Sequence, residues 1–123
     1  MKKIILLAAV LLAAATVSAQ KIEKDVLSAD GLRSVTVTPD NVCSKQIDIT
    51  LKGDVIESVR YTRGCEGNAK GVGALIKGMT IDEAIKRLDG ITCKGSKTGK
   101  TSCPDQLAGA LKQIKKSKPQ KAK

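Results

Sequence analysis

The strongest constraint on the fold is the order of two hydrophobic patterns along the chain. Residues 34–38 and 46–51 alternate between apolar and polar side chains, which is typical of strands that bury one face, and 55–61 continues as a second β run. The link 52–54 is short and contains a glycine, so it predicts a hairpin. The chain should therefore form three consecutive antiparallel strands, with one apolar face that needs to be covered by helices.

Three segments with helical spacing of apolar residues follow the strands. They predict helices over about 68–79, 80–89 and 104–116, with ends uncertain by roughly 2–4 residues. Thr80 and Glu83 have the spacing of a capping box at the start of the second helix, and Gly90 should end it. We therefore predict an α+β domain in which a three-stranded antiparallel sheet is covered by about three helices.

The first nineteen residues have the pattern of a secretory signal peptide. Lys2 and Lys3 precede an apolar run over 4–15, and Val17-Ser18-Ala19 fits a cleavage site before Gln20. The apolar run is shorter than the roughly 20 residues that a spanning helix needs. The sequence therefore predicts a bacterial protein exported to the periplasm or secreted, without a membrane span after cleavage.

The remaining chain divides into three parts by composition. We interpret 20–32 as a spacer or short helix, 33–116 as the single domain, and 117–123 as a basic flexible tail. Loss of Lys2 and Lys3 would lower the formal charge from +10 to +8, and five of the last nine residues are lysines. Much of the positive charge thus belongs to a solvated end rather than to a binding surface.

Two absences in the composition exclude several classes of function. The chain has no histidine, which excludes Ser-His-Asp and Cys-His catalysis and histidine ligation of zinc or haem. Its only aromatic residue is Tyr61, which argues against nucleic-acid modules that stack bases on aromatic side chains. We expect no specific nucleic acid as a partner, whereas a protein partner is left open.

Four cysteines are the candidate functional residues. Cys43 follows the turn 39–41, Cys65 lies between Gly64 and Gly67 before a helix, Cys93 lies in a glycine-containing loop, and Cys103 begins the last helix. A helix N-terminus favours a thiolate, the form that binds metals and attacks electrophiles. The structural alternative is a helix start or connector that happens to contain cysteine.

Three short motifs carry a resemblance to a known family. They are Cys43-Ser44-Lys45-Gln46-Ile47, Gly64-Cys65-Glu66-Gly67-Asn68 and Thr101-Ser102-Cys103-Pro104-Asp105-Gln106-Leu107. Together they resemble the TSCPD-domain family over roughly 35–114. Segments related to this family occur at the C-terminus of cobalamin-dependent ribonucleotide reductases, and the present chain is similar to the stand-alone members.

A more distant resemblance suggests a ligand set. Iron-sulfur cluster scaffold proteins of the NifU N-terminal type carry three cysteine ligands at positions similar to Cys43, Cys65 and Cys103. In that family an aspartate stands where this chain has Lys45, and a histidine where it has Ser102. With Cys93 as a fourth ligand, the resemblance implies an iron-sulfur scaffold-like fold and an all-thiolate site suited to zinc or an iron-sulfur cluster.

The cysteines thus allow three functional hypotheses. We favour a small exported metal-binding module in which Cys43, Cys65, Cys93 and Cys103 hold zinc or an iron-sulfur cluster. The alternative is an exported structural or interaction domain with two disulfides, in any of three pairings, that has lost metal binding. An enzyme of thiol-disulfide exchange is less favoured, because no C-x-x-C pair is present to resolve a mixed disulfide.

Overall fold

The structure is a computed structural model that describes residues 20–121. The predicted signal peptide, 1–19, lies outside the described residues. The elements are strands β1 Lys21–Leu27, β2 Leu32–Thr38, β3 Gln46–Lys52 and β4 Val55–Thr62, helices α1 Glu66–Ile76, α2 Ile81–Leu88 and α3 Cys103–Lys116, and the short strand β5 Gln120–Lys121. The predicted α+β class and all three predicted helices are confirmed.

The sheet has more strands than the sequence predicted. Its order is β4-β3-β2-β1-β5. The first four strands are antiparallel to their neighbours, and β5 pairs parallel with β1. The prediction of a three-stranded antiparallel sheet is therefore wrong: the sheet is five-stranded and mixed, and two residues of the expected flexible tail belong to it.

The strand missed by the sequence analysis is β1. Ile22 and Val26 are four residues apart, as on a helix, and the register of β1 against β2 shifts between Ile22 and Lys24. This irregularity breaks the alternation by which strands are recognised. The segment 20–32 is therefore not a spacer or short helix but half of a hairpin, whose turn contains Gly31 at φ 86°.

The core lies between one face of the sheet and the helices. Buried side chains of β2, β3 and β4 meet those of α1, α2 and α3, and the largest fully buried ones are Val35, Val37, Ile47, Ile49, Leu51, Ile56, Leu107, Leu111 and Ile114. Aliphatic side chains alone fill this core. Within residues 20–121, none of the helices is long and apolar enough to cross a membrane.

The link between α1 and α2 is fixed to the edge strand β4. The amide of Ile56 donates to the carbonyl of Met79 at 2.8 Å, and the carbonyl of Ile56 accepts from the amide of Gly78 at 2.8 Å. Thr80 then caps α2 by accepting from the amide of Glu83 at 3.2 Å, as its spacing predicted. These bonds set the start of α2 against the sheet.

Candidate functional site

Cys103 is held at the first turn of α3 by its neighbours in sequence. The Ser102 hydroxyl accepts from the amide of Asp105 at 3.1 Å and donates to the carbonyl of Ile91 at 2.6 Å. Ser102 is thus the N-cap, and Cys103 is the first residue of the helix, followed by Pro104. One side chain therefore both begins the helix and attaches it to the loop that precedes it.

A buried hydrogen-bond network then ties this helix start to the turn before Cys43. The Gln106 side chain is 4% exposed and accepts from the amide of Asp40 at 2.9 Å. It also donates to Thr101 Oγ1 at 3.0 Å, and Thr101 donates to the Asp105 carboxylate at 2.7 Å. Gln106 therefore fixes the distance between two segments that each carry a cysteine.

Cys43 and Cys103 are neighbours in the structure. The Cys43 thiol lies near enough to raise the pKa of Cys103, and Ser44 Oγ lies 3.0 Å from Cys103 Sγ. A Cβ added at Gly64 would lie 2.9 Å from Ser44 Oγ and 3.2 Å from Cys43 Sγ. The turn before β3, the turn after β4 and the start of α3 therefore meet at one end of the sheet.

Cys65 borders the same place from the third of these turns. It is the N-cap of α1 without a side-chain capping bond, and it lines, with Cys103, a cavity of about 20 Å³. Gly64, the residue before Cys65, has φ 100°, whereas Gly67 lies within α1 and has helical backbone angles. The cavity has roughly the volume occupied by one water molecule.

Cys93 is placed apart from this cluster. Its amide donates to the carbonyl of Thr101 at 2.9 Å, and within residues 20–121 its exposed thiol makes no hydrogen bond. The loop that carries it nevertheless approaches the Cys43 turn, because the amide of Lys97 donates to the carbonyl of Asn41 at 2.9 Å. The structure thus brings three thiols to one end and leaves the fourth on an adjacent loop.

The electrostatics of Cys103 differ from the sequence prediction. Burial raises the pKa of its thiol, the hydrogen bonds from Ser44 lower that pKa, and the neighbouring Cys43 thiol raises it further. At Cys103, burial therefore opposes the effect of the helix N-terminus, which favours a thiolate. A cation at this point would reverse the balance.

The donor atoms at the site are suited to a soft metal ion, although the side chains are not assembled around one. All four cysteines are free thiols. In the part of the chain that the structure describes, no three His, Cys, Asp or Glu side chains are grouped as a bound metal ion requires. The cavity beside Cys65 and Cys103 has roughly the volume of one ion.

Three residues of the site were missed by the sequence analysis: Ser44, Tyr61 and Gln106. The Tyr61 hydroxyl donates to the carbonyl of Cys103 at 3.0 Å, and burial raises the pKa of Tyr61. Tyr61 is the only aromatic side chain of the sequence, and that rarity was the one available signal. Ser44 and Gln106 lie inside the quoted motifs, but their partners are 59 and 66 residues away.

The fold and site define a small α+β domain with three thiols at one end of its sheet. The chain belongs to the TSCPD domain family, whose model matches residues 23–115. The match begins within β1 and ends within α3, so it includes all four cysteines. No curated protein and no solved structure matches the chain.

Proposed function

We propose that this protein is a metal-binding module in which Cys43, Cys65 and Cys103 hold one zinc ion. The convergence of the three cysteine-bearing turns, where Ser44 Oγ lies 3.0 Å from Cys103 Sγ beside a cavity that Cys65 also lines, is the observation that supports it. Zinc binds thiolates at about 2.3 Å, and three ligands from one end of a rigid sheet suit such a site. Small rotations of exposed cysteine side chains would be needed to enclose the ion.

The size of the cavity favours zinc over an iron-sulfur cluster. About 20 Å³ accommodates a single ion, whereas a cluster would need the three turns to separate. Cys93 is the natural fourth ligand, because its loop is already tethered beside the Cys43 turn through Lys97. With Cys93 bound the site is closed, as in structural zinc sites; without it, the fourth position is open to a ligand from outside.

Removal of single cysteines tests this proposal. The purified chain, reduced and supplied with zinc, should bind one equivalent, and Cys103→Ser should weaken zinc binding strongly because it removes one of the three clustered thiols. Cys93→Ser should weaken it less, because the three clustered thiols remain. Metal analysis and competition with a chelator measure both results. Full zinc content in Cys103→Ser would contradict the proposed ligand set.

Export of the protein belongs to the same proposal and needs its own test. The charged start, apolar run and small-residue motif of 1–19 support cleavage before Gln20. The intact mass of the native protein should then correspond to residues 20–123 in a fraction outside the cytoplasm. A full-length mass in the cytoplasmic fraction would contradict export.

A second candidate is a disulfide-stabilised domain, and the proximity of Cys43 and Cys103 through Ser44 favours one pairing. Oxidation of Cys43 and Cys103 would close a loop of about 60 residues, which contributes about 4 kcal/mol in the chain-entropy model. Peptide mapping of the native protein without reduction would then find Cys43 joined to Cys103. If the native protein contains zinc and shows four titratable thiols once it is denatured without reduction, the disulfide candidate is excluded.

A further inference from the structure

A second concave surface lies on the other side of the Cys65 turn, between β4 and α1. It has a volume of about 610 Å³, within the range of small-molecule sites. It forms because α1 approaches the edge of β4 closely at Gly73, where an added Cβ would lie 2.7 Å from the carbonyl oxygen of Val59. Ser58 and Arg60, both exposed, form its strand side. We refer to this surface as the β4–α1 groove.

The charge of the β4–α1 groove is positive and mostly uncompensated. Arg60, Arg63 and Lys70 line it, with Glu66 as its one carboxylate. Glu66 is paired with Lys70 at 2.9 Å. Within residues 20–121 neither arginine forms an ion pair. Two guanidinium groups therefore share one groove without an acidic partner.

The acidic residue opposite Arg60 on β3 forms no ion pair with it within residues 20–121. Asp48 is opposite Arg60 in the β3–β4 register. Its carboxylate accepts hydrogen bonds from Thr36 at 3.0 Å and from Gln46 at 2.9 Å. These bonds direct the carboxylate to its own strand and to β2, so Arg60 is left for a ligand.

We infer that the β4–α1 groove binds a small molecule through a phosphate group. Two guanidinium groups present planar pairs of donors that match phosphate oxygens, and they stay charged at all relevant pH values. Tyr61 and Ala69 line both this groove and the small cavity beside Cys103, so a bound ligand would lie next to the thiols. The inference goes beyond the metal proposal and does not depend on it.

The phosphate can belong to free inorganic phosphate, to pyrophosphate or to a phosphate monoester, and a titration distinguishes them. Each probe is added to the reduced protein while amide resonances are followed by NMR. We expect saturable shifts at Ser58, Gly64 and Gly73, and tighter binding of the monoester phenyl phosphate than of inorganic phosphate if the source is an organic ligand. The reverse order would assign the groove to the free anion.

Charge variants separate a site from general attraction to a basic protein. Arg60→Gln and Arg63→Gln should each weaken binding about tenfold, because each removes a charge-assisted hydrogen bond. Lys116→Gln is the matched control, since it removes one positive charge from the separate basic cavity on α3. It should change the affinity less than about twofold. Arg60 and Arg63 are exposed, so thermal unfolding should be unchanged.

Three results would overturn the assignment. They are shifts that do not saturate with any probe, equal weakening in all three charge variants, and saturable shifts confined to residues outside the groove. The Cys103→Ser variant should bind phosphate as the parent does. Failure of the zinc proposal would therefore not contradict phosphate binding in the groove. Loss of phosphate binding in a folded Cys103→Ser protein would also reject the groove as the site.

Discussion

At the scale of single residues, Gln106 is the side chain that relates Cys103 to the Cys43 turn. It is buried, and both ends of its amide are bonded, to the Asp40 amide and to Thr101. Substitution Gln106→Met keeps the volume but leaves both partners unsatisfied. We expect the free energy of unfolding to fall by about 1–3 kcal/mol and zinc affinity to fall with it, as measured by urea denaturation and chelator competition.

The matched control for Gln106 is the exposed Gln120 of β5. Gln120→Met should change the free energy of unfolding by less than about 0.5 kcal/mol. If Gln106→Met were equally harmless, the network between α3 and the Cys43 turn would contribute nothing to the site.

The raised pKa of Cys103 gives a pH dependence with a defined sign. At pH values just above the ordinary pKa of 9.0, the Cys103 thiol keeps its proton in the folded protein but has lost it in the unfolded chain. Stability from this group is therefore complete below about pH 9 and is lost as the pH rises through the folded pKa. The free energy of unfolding of the reduced, metal-free protein, measured by urea denaturation, should fall more steeply above pH 9 in the parent than in Cys103→Ser. Parallel curves would contradict the shift.

The sequence predicted the helix start at Cys103 but not the contacts that position it. Pro104 and Asp105 are local signals, because they act within one turn of helix. The partners of Gln106 and Ser44 are distant in the chain, and a sequence pattern carries no record of which turn will be opposite. The burial that raises the pKa of Cys103 was equally unpredictable, since burial is a tertiary property.

At the scale of elements, the position of α1 against β4 depends on a glycine. An added Cβ at Gly73 would lie 2.7 Å from the Val59 carbonyl oxygen, whereas one at Gly71 would meet no atom within 4 Å. Gly71→Ala should therefore raise the free energy of unfolding by about 0.5–1 kcal/mol through helix propensity. Gly73→Ala should lower it by about 1–3 kcal/mol through overpacking.

Urea denaturation of the two alanine variants compares the same substitution in the same helix. Gly73→Ala should also change the β4–α1 groove and shift the amide resonance of Cys65, because α1 must move away from the strand. Equal stabilisation by both substitutions would show that α1 does not rest on the β4 backbone.

The elements were predictable where their pattern was regular. β2 and β3 alternate cleanly, and α2 carries a cap, a helical apolar face and Gly90 at φ 82° after its end. β1 was missed because a register shift interrupts its alternation. β5 is two residues long and forms only because the end of α3 places it beside β1, which no local pattern can indicate.

At the scale of the whole molecule, the antiparallel sheet explains why two of the thiols meet. Cys43 precedes β3, and Cys65 follows β4. Since these strands are antiparallel neighbours, the start of one and the end of the other lie at the same end of the sheet. Cys103 joins them through Ser44 and Tyr61. Cys93 lies on the loop between α2 and α3, and its position has no such topological constraint.

X-ray absorption at the zinc edge of the reduced, zinc-loaded protein reports whether the thiols of three turns hold one zinc ion. We expect three or four sulfur neighbours at about 2.3 Å, with one sulfur fewer in Cys65→Ser than in the parent. A first shell of oxygen or nitrogen alone, or a sulfur count unchanged in Cys65→Ser, would contradict it.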